Sequence, residues 1–395
     1  MSLIRPIIVA MGVAALALTT SCSSSSPSGS SVNTEQGDSA SISVPFSRSD
    51  LVTGHPFQMQ GDRFAVSWRD GGRFYCGVVD IIDGSVRTID VYPAAQRPAV
   101  VGEPSVVYAA FGDGVEGPLI HRIYDFAGNE LHTRLKTTWL RPTPSGRYLV
   151  ASSDLLLPSS FGVFDAQLNP LDQPSEPLVD SRSWDAIPIS DTMCVVRNGR
   201  TVKQVRLPDM LVQRSREVPI SSGFGILGLY CNASGTICAV TNYSDVTVID
   251  MTDGGTFEFR GGPFSSLLIS PTGDFVYVLL DRGDGLLKVS QYRQDQQLPE
   301  SILEVDLGSR EAGFIRSHFD TAYSTDSYIA VNYTVFQSLA GQNGALLKSL
   351  LIARPFWRHS EITFIDGPSW PADQSGSRIH SLEFIEENRF RIREH

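Results

Sequence analysis

Cys231-Asn-Ala-Ser-Gly-Thr-Ile-Cys238 and Ser270-Pro-Thr-Gly-Asp-Phe-Val-Tyr-Val278 are two copies of one pattern. An apolar stretch enters a short turn carrying glycine, and a second apolar stretch leaves it, as a tight hairpin requires. Further copies are Met59-Gln-Gly-Asp-Arg-Phe-Ala-Val66 and Pro142-Thr-Pro-Ser-Gly-Arg-Tyr-Leu-Val150. Weaker ones are Gly102-Glu-Pro-Ser-Val-Val107, Ile189-Ser-Asp-Thr-Met-Cys194 and Ser324-Thr-Asp-Ser-Tyr-Ile329. Most turn centres fall 38–45 residues apart. A second marker keeps the same beat: an apolar residue and Asp at Val79-Asp80, Tyr124-Asp125, Phe164-Asp165 and Ile249-Asp250, each followed by turn residues. Val205-Arg206-Leu207 stands at the matching place in the copy without Asp. Two markers in phase argue for an internal repeat, and repeats decide architecture.

Each unit reads as four short strands with tight turns. Such a sheet cannot bury both faces alone, but stacked radially against neighbours it can. The units resemble WD40-like and YVTN-type bacterial propeller repeats, in which a Ser/Asp-Pro-Asp-Gly-like hairpin precedes two strands and a terminal Asp. No Gly-His to Trp-Asp pairing of true WD40 units is present. The resemblance covers about residues 57–366 and implies an all-β, seven-bladed β-propeller of four-stranded blades, with eight blades as the alternative. Ile379–Phe384 and Arg389–Arg393 make one more hairpin. With a strand around Ile42–Phe46 it either completes an eighth blade or closes a ring of seven.

The N-terminus carries an address. Arg5 precedes an apolar run from Ile7 to Leu18, then Thr19-Thr20-Ser21-Cys22 and a serine-rich stretch to Ser31. A basic start, a dozen or so apolar residues and small residues at the cut describe a secretory signal. As a helix that run rises roughly 18 Å, short of a bilayer core of about 30 Å. Cys22 after the run resembles the lipobox of bacterial lipoproteins, although Thr19 stands where that family usually has Leu. The resemblance implies cleavage before Cys22, a lipid on its sulfur, and display on the cell membrane facing away from the cytoplasm. Uncharged serine-rich segments behave as flexible linkers. The expected organisation is a signal peptide over 1–21, a tether over 22–46 and a propeller over 47–395.

Composition narrows the partners. Charged residues are 19% of the chain and the net charge is −11, without a polybasic stretch, which argues against nucleic acid as a partner. The expected partners are the membrane, through the lipid on Cys22, and an envelope protein. Export permits disulfides among Cys76, Cys194, Cys231 and Cys238. A two-residue turn at Ser234-Gly235 places Cys231 opposite Cys238, within disulfide range. Closing that loop contributes roughly 2–3 kcal/mol in the chain-entropy model. The alternative is that all four are small buried apolar side chains.

Catalytic signatures are missing: there is no Gly-x-Ser-x-Gly, no His-Glu-x-x-His, no P-loop and no dinucleotide fingerprint. His55, His121, His132, His318, His359, His380 and His395 are scattered, so no catalytic residue, metal ligand or cofactor is assigned. Asp281-Arg-Gly-Asp-Gly285 and Gly112-Asp-Gly-Val-Glu-Gly117 read as hairpin turns rather than calcium loops. Between Asn332 and Phe364 the last full unit is stretched. There Arg354, Phe356, Trp357, Arg358 and His359 form a candidate interaction surface, since Trp and Arg are enriched at hot spots. Trp139, Trp184 and Trp370 read as packing residues. The functional expectation is a non-catalytic interaction or ligand-binding scaffold. The alternative is a lactonase- or hydrolase-like enzyme working in the central channel.

Overall fold

The structure is a computed structural model. It describes residues 41–52, 59–93, 99–102, 107–112, 119–137, 139–153, 160–165, 169, 171, 185–219, 228–242, 245–262, 264–294, 296–339, 342–353, 361–371 and 378–395. These residues are all-β apart from one 3-10 turn at Arg48–Asp50, and they form eight antiparallel sheets, seven of four strands and one of three. Seven sheets follow in chain order: sheet 1 (59–93), sheet 2 (99–137), sheet 3 (139–165), sheet 4 (185–217), sheet 5 (228–260), sheet 6 (266–306) and sheet 7 (314–365). Each is an up-and-down meander, so its first strand begins at the same end as its second strand finishes. Sheet 8 is different. It takes 369–371, 379–386 and 389–394 from the C-terminal end and Ile42–Ser43 from the other, paired as Ile42 with Phe390 and Ser43 with Arg389. The strand expected around Ile42–Phe46 is present as Ile42–Ser43, and Val44 and Phe46 beside it are buried.

Where they occur, the two sequence markers are the turn after a sheet's first strand and the turn after its third. In the first hairpin, Thr143, Asn232 and Ser270 occupy one position. The side-chain oxygen of each accepts the N–H five residues on, at 3.2 Å for Tyr148 and 3.1 Å for Ile237 and Phe275. The third residue after each is a glycine whose N–H bonds back to the same residue's carbonyl. The turn in sheet 5 is centred on Ala233-Ser234, one residue before the expected place, yet Cys231 still faces Cys238 because Gly235 absorbs the difference. In the second marker, Asp80, Asp125, Asp165 and Asp250 use Oδ1 to accept N–H groups of their own turns. Short Asx-type bonds of this kind are why Asp recurs there. Arg206 heads the copy without Asp, and Met210 takes its left-handed position at φ 56°.

Neighbouring sheets bury apolar faces against one another. Sheet 1 meets sheet 2 through Phe74, Cys76 and Val78 against Val107, Ala109 and Tyr124. The 130–137 strand of sheet 2 approaches the 148–153 strand of sheet 3. Val150 and Val163 of sheet 3 pack on Ala186 and Val196 of sheet 4; Val195 and Val202 pack on Leu229 and Val240 of sheet 5. Ile237 and Val246 meet Leu267 and Val276 of sheet 6, whose Leu279 and Leu287 meet Ile329 and Val331 of sheet 7. Ala330 and Ile365 of sheet 7 meet Ile379 of sheet 8. Sheet 8 then packs on sheet 1, with Phe64 stacked on Trp370 at 6.4 Å and edge-on to Phe390 at 5.7 Å between ring centroids. Trp370, Phe64 and Phe390 are fully buried, and burial of one such side chain contributes roughly 1.5–3 kcal/mol. Four-stranded sheets in chain order, each packed on the next, are consistent with a β-propeller.

The turns fix the spacing between sheets. Gly273 of sheet 6 sits at φ +88° with a Cβ position only 2.4 Å from Ile237 Cγ1 of sheet 5. Gly84 of sheet 1 presses in the same way on Ser43 and Ile42, the outer strand of sheet 8. Beyond that strand the chain crosses the 3-10 turn, and Leu51 and Val52 pair beside Trp68 and Ser67 of sheet 1. One segment thus belongs to both the last sheet and the first.

Sheet 7 is longer than its neighbours. Phe314–Ser324, Tyr328–Leu339 and Gln342–Ala353 have 11, 12 and 12 residues. Much of the stretched connection expected after Asn332 is therefore strand, paired along its whole length from Tyr328–Ala353 to Leu339–Gln342.

Candidate functional site

From sheet 3 to sheet 7 the first strand of each sheet approaches the first strand of the next, and these are the inner strands; the end at which they begin gathers polar groups. Asp185 starts sheet 4 and lies directly across from Arg197. Its carboxylate is shared between neighbouring sheets: Arg141 Nη1 of sheet 3 lies 3.2 Å from Oδ1, and the Leu229 N–H of sheet 5 donates to Oδ2 at 3.3 Å. Arg141 Nη1 also donates to the Ala186 carbonyl at 2.6 Å. Arg197 is only 5% exposed, and its Nε and Nη1 have no hydrogen-bond partner among the described residues. Burial lowers the pKa of this guanidinium from its usual value, opposed by the charge of Asp185. Burial raises the Tyr230 phenol, and Asp185 adds to it, so the hydroxyl stays protonated. A buried guanidinium with two free donors is arranged to receive an acceptor, because leaving such donors unmet is costly.

A second cluster lies at the same end, between sheets 6 and 7. The pairing of Phe314–Ser324 with Tyr328–Leu339 slips between Phe319 and Thr321, so Asp320 is the extra residue of a bulge. Bulges re-aim side chains. Thr334 donates its hydroxyl to Asp320 Oδ2 at 2.6 Å, and Oδ1 has no partner. Burial pushes the Asp320 carboxyl up to about 6; the Thr334 hydrogen bond and His318 oppose this, and Asp281 adds to it. Asp281 finishes the second strand of sheet 6 and accepts from Ser317 Oγ and the Gly283 N–H, both at 2.8 Å. A carboxyl held near pH 6 is able to take up or give up a proton close to neutrality.

Among the described residues a small cleft lies at the opposite end, between sheets 1 and 2. It measures about 190 Å³ and is lined by Arg63, Asp80, Ser85, Arg87 and Phe126. Arg63 Nε is 3.3 Å from Asp80 Oδ2, and Arg87 donates to the Ala127 carbonyl. Ligand pockets usually span about 300–1,000 Å³, so this cleft suits a few atoms at most. Among the described residues no three His, Cys, Asp or Glu side chains converge to hold a metal.

The residues singled out in the sequence fare unequally. Cys22 and the surface of Arg354, Phe356, Trp357, Arg358 and His359 lie outside the described residues, as does Trp184. Cys231 and Cys238 oppose each other, with their sulfurs 3.2 Å apart as thiols. Trp370 packs as expected of a core residue. The Asp281–Gly285 segment spends Asp281 and Asp284 on its own turn, through the Gly283 and Leu286 N–H groups. Sequence reasoning missed Arg197 and Asp320. The first left a signal: in Met193-Cys-Val-Val-Arg-Asn198, period-two alternation puts Arg197 on the inward face of Val195. The bulge that exposes Asp320's role has no such signature.

No family model matches the chain, and no curated protein matches it. Among solved structures it is similar to the crystal structure of Kluyvelomyces marxianus Hsv2, at 12% identity and a TM-score of 0.45, over 73% of this chain and 93% of that one. A likeness of that degree carries no functional information.

Proposed function

We propose that this chain is an eight-bladed β-propeller, lipid-anchored through Cys22 to the cell membrane outside the cytoplasm, and that it acts as a non-catalytic scaffold for an envelope protein. The observation that supports the reading is the pairing of Ile42–Ser43, from the segment after the serine-rich stretch, with the C-terminal hairpin in sheet 8. Ile42–Ser43 is the outermost strand of sheet 8, remote from the inner strands. The polar groups at the end where the first strands begin, with Arg141 and Asp185 in front of the buried Arg197, are the surface offered to a partner. Fusion of the two chain ends into one sheet also makes a stiff platform, which keeps a docking surface pre-organised.

The test is a mild-detergent pulldown of the tagged protein from its own membranes, with mass spectrometry of what is retained. The expected result is a stoichiometric envelope protein that is lost when Arg197 is replaced by Met. A protein recovered alone, with wild-type and variant indistinguishable, overturns the scaffold reading. A channel enzyme is the second reading, and Asp320 favours it, since a carboxyl held near pH 6 at the inner strands suits acid–base work. Small-molecule turnover abolished by Asp320→Asn would replace the first reading with the second.

A further inference from the structure

Cys231 and Cys238 close the first hairpin of sheet 5 as directly opposed residues. Asn232 and Ile237, one step nearer the turn, are the hydrogen-bonded pair, with the Asn232 N–H on the Ile237 carbonyl at 3.0 Å. Bonded and non-bonded pairs alternate along an antiparallel ladder, so Cys231 and Cys238 are a non-bonded pair, the kind with the closer side chains and a Cα separation of about 4.5 Å. That separation falls within the range a disulfide spans. The sulfurs are 3.2 Å apart. In sister hairpins the same place holds Pro142 with Leu149 and Ile269 with Val276. Ordinary apolar contact is all that this position needs, yet here both residues are thiols.

The other cysteines are badly placed as rivals. Cys76 packs between sheets 1 and 2. Cys194 packs on the side of sheet 4 that faces sheet 3, whereas Cys231 and Cys238 pack on the side between sheets 4 and 5. A bond from Cys194 to either would have to pass through sheet 4.

We propose that Cys231 and Cys238 form a structural disulfide that staples the inner hairpin of sheet 5, with Cys76 and Cys194 left as thiols. This rests on the proposed export to an oxidising compartment. Both S–H bonds break and one S–S bond forms. The two electrons and two protons pass to the disulfide of a thiol–disulfide oxidoreductase, which leaves as a dithiol. Burial raises the Cys231 thiol well above its ordinary range, so little thiolate is available once sheets 4 and 5 have packed. Oxidation therefore belongs to the chain before the hairpin is covered.

The experiment is alkylation in denaturant without reductant, on the full chain extracted from its own membranes. Trypsin then releases Glu217–Arg260, which contains both cysteines and no internal Lys or Arg. The expected peptide is unlabelled and two hydrogens lighter than the dithiol, and gains two labels only after reduction, while Cys76 and Cys194 are labelled at once. The reduced protein, denatured and refolded in oxidised glutathione, gives the same peptide and melts about 3 °C above the reduced form. Full labelling of Cys231 and Cys238 in both samples overturns the proposal, as does a crosslink to Cys194. Labelling in the membrane sample alone leaves the pair standing and overturns export instead.

Discussion

At the scale of the residue, Asp320 tests the buried polar end and Gly273 tests the contact between sheets. Burial pushes the Asp320 carboxyl up to about 6, above the usual aspartate value of about 3.9. The folded protein therefore holds its proton more tightly than the unfolded chain does. Stability from this group is fully present below about pH 4 and is lost as pH rises to about 6, because between those values the native state binds more protons. Asp320→Asn is expected to raise stability at pH 7.5 by on the order of 2–3 kcal/mol and to flatten the pH 4–6 slope, measured by urea denaturation across that range. An unchanged slope would show that Asp320 is solvated in the folded protein. Gly273 tests the spacing of sheets: alanine there meets Ile237 at 2.4 Å in a left-handed backbone. Gly273→Ala is expected to lower stability by about 2–4 kcal/mol. Gly262→Ala, at φ +71° with nothing within 4 Å, is expected to lose only the conformational part, about 1 kcal/mol. Equal losses would mean that sheets 5 and 6 yield where they touch.

At the scale of the element, what the sequence disclosed was turn chemistry. Glycine after Thr143, Asn232 or Ser270 and Asp at the second marker are legible because each answers a local hydrogen-bonding need. Long-range pairing was legible in part: a strand around Ile42–Phe46 was expected beside the C-terminal hairpin, and Ile42–Ser43 does pair with Arg389–Glu394. Whether that sheet adds to the others or closes them depends on residues more than 300 positions apart meeting in space, which no local pattern specifies. The length of sheet 7 was obscured for a related reason: Gly341-Gln-Asn-Gly344 carries turn residues, yet Gln342 already opens a 12-residue strand. Asn232 shows how a turn residue also works between sheets. Its Oδ1 accepts the Ile237 N–H, and its Nδ2 donates to Thr236 Oγ1 at 3.3 Å and to the Pro271 carbonyl of sheet 6 at 3.2 Å. Asn232→Ala is expected to destabilise by about 1–3 kcal/mol, since the buried donors and acceptors lose partners. Ser270→Ala removes the corresponding acceptor for Phe275 and should fall at the low end of that range. Chemical denaturation of both variants checks the order, and a larger loss at Ser270 would reverse the argument about inter-sheet bonding.

At the scale of the whole molecule, eight sheets share one boundary problem: the first and the last must bury faces that their sequence neighbours leave open. Sheet 8 answers it by taking a strand from each end of the body, and Phe46, Phe64, Trp68, Trp370, Phe384 and Phe390 share a single core there. The signal-like run and Cys22 contribute to none of these contacts among the described residues, so the proposed anchoring is testable apart from folding. Cys22→Ser is expected to give a protein that melts as the wild type does but leaves the membrane fraction for the soluble one. Retention on membranes would require another anchor or a tight membrane-bound partner. Truncation after Asp366 acts on the fold itself. It removes three of the four strands of sheet 8, leaves Ile42–Ser43 without a partner strand, and uncovers Phe64. Losing a single buried Phe or Trp side chain costs about 3–5 kcal/mol, and whole domains are stable by only about 5–15 kcal/mol. Losing Trp370, Phe384 and Phe390 together should therefore abolish cooperative unfolding, with the truncated chain aggregating rather than melting. A truncated protein that stays monomeric by gel filtration and keeps its melting temperature would show that sheets 1–7 close without the eighth.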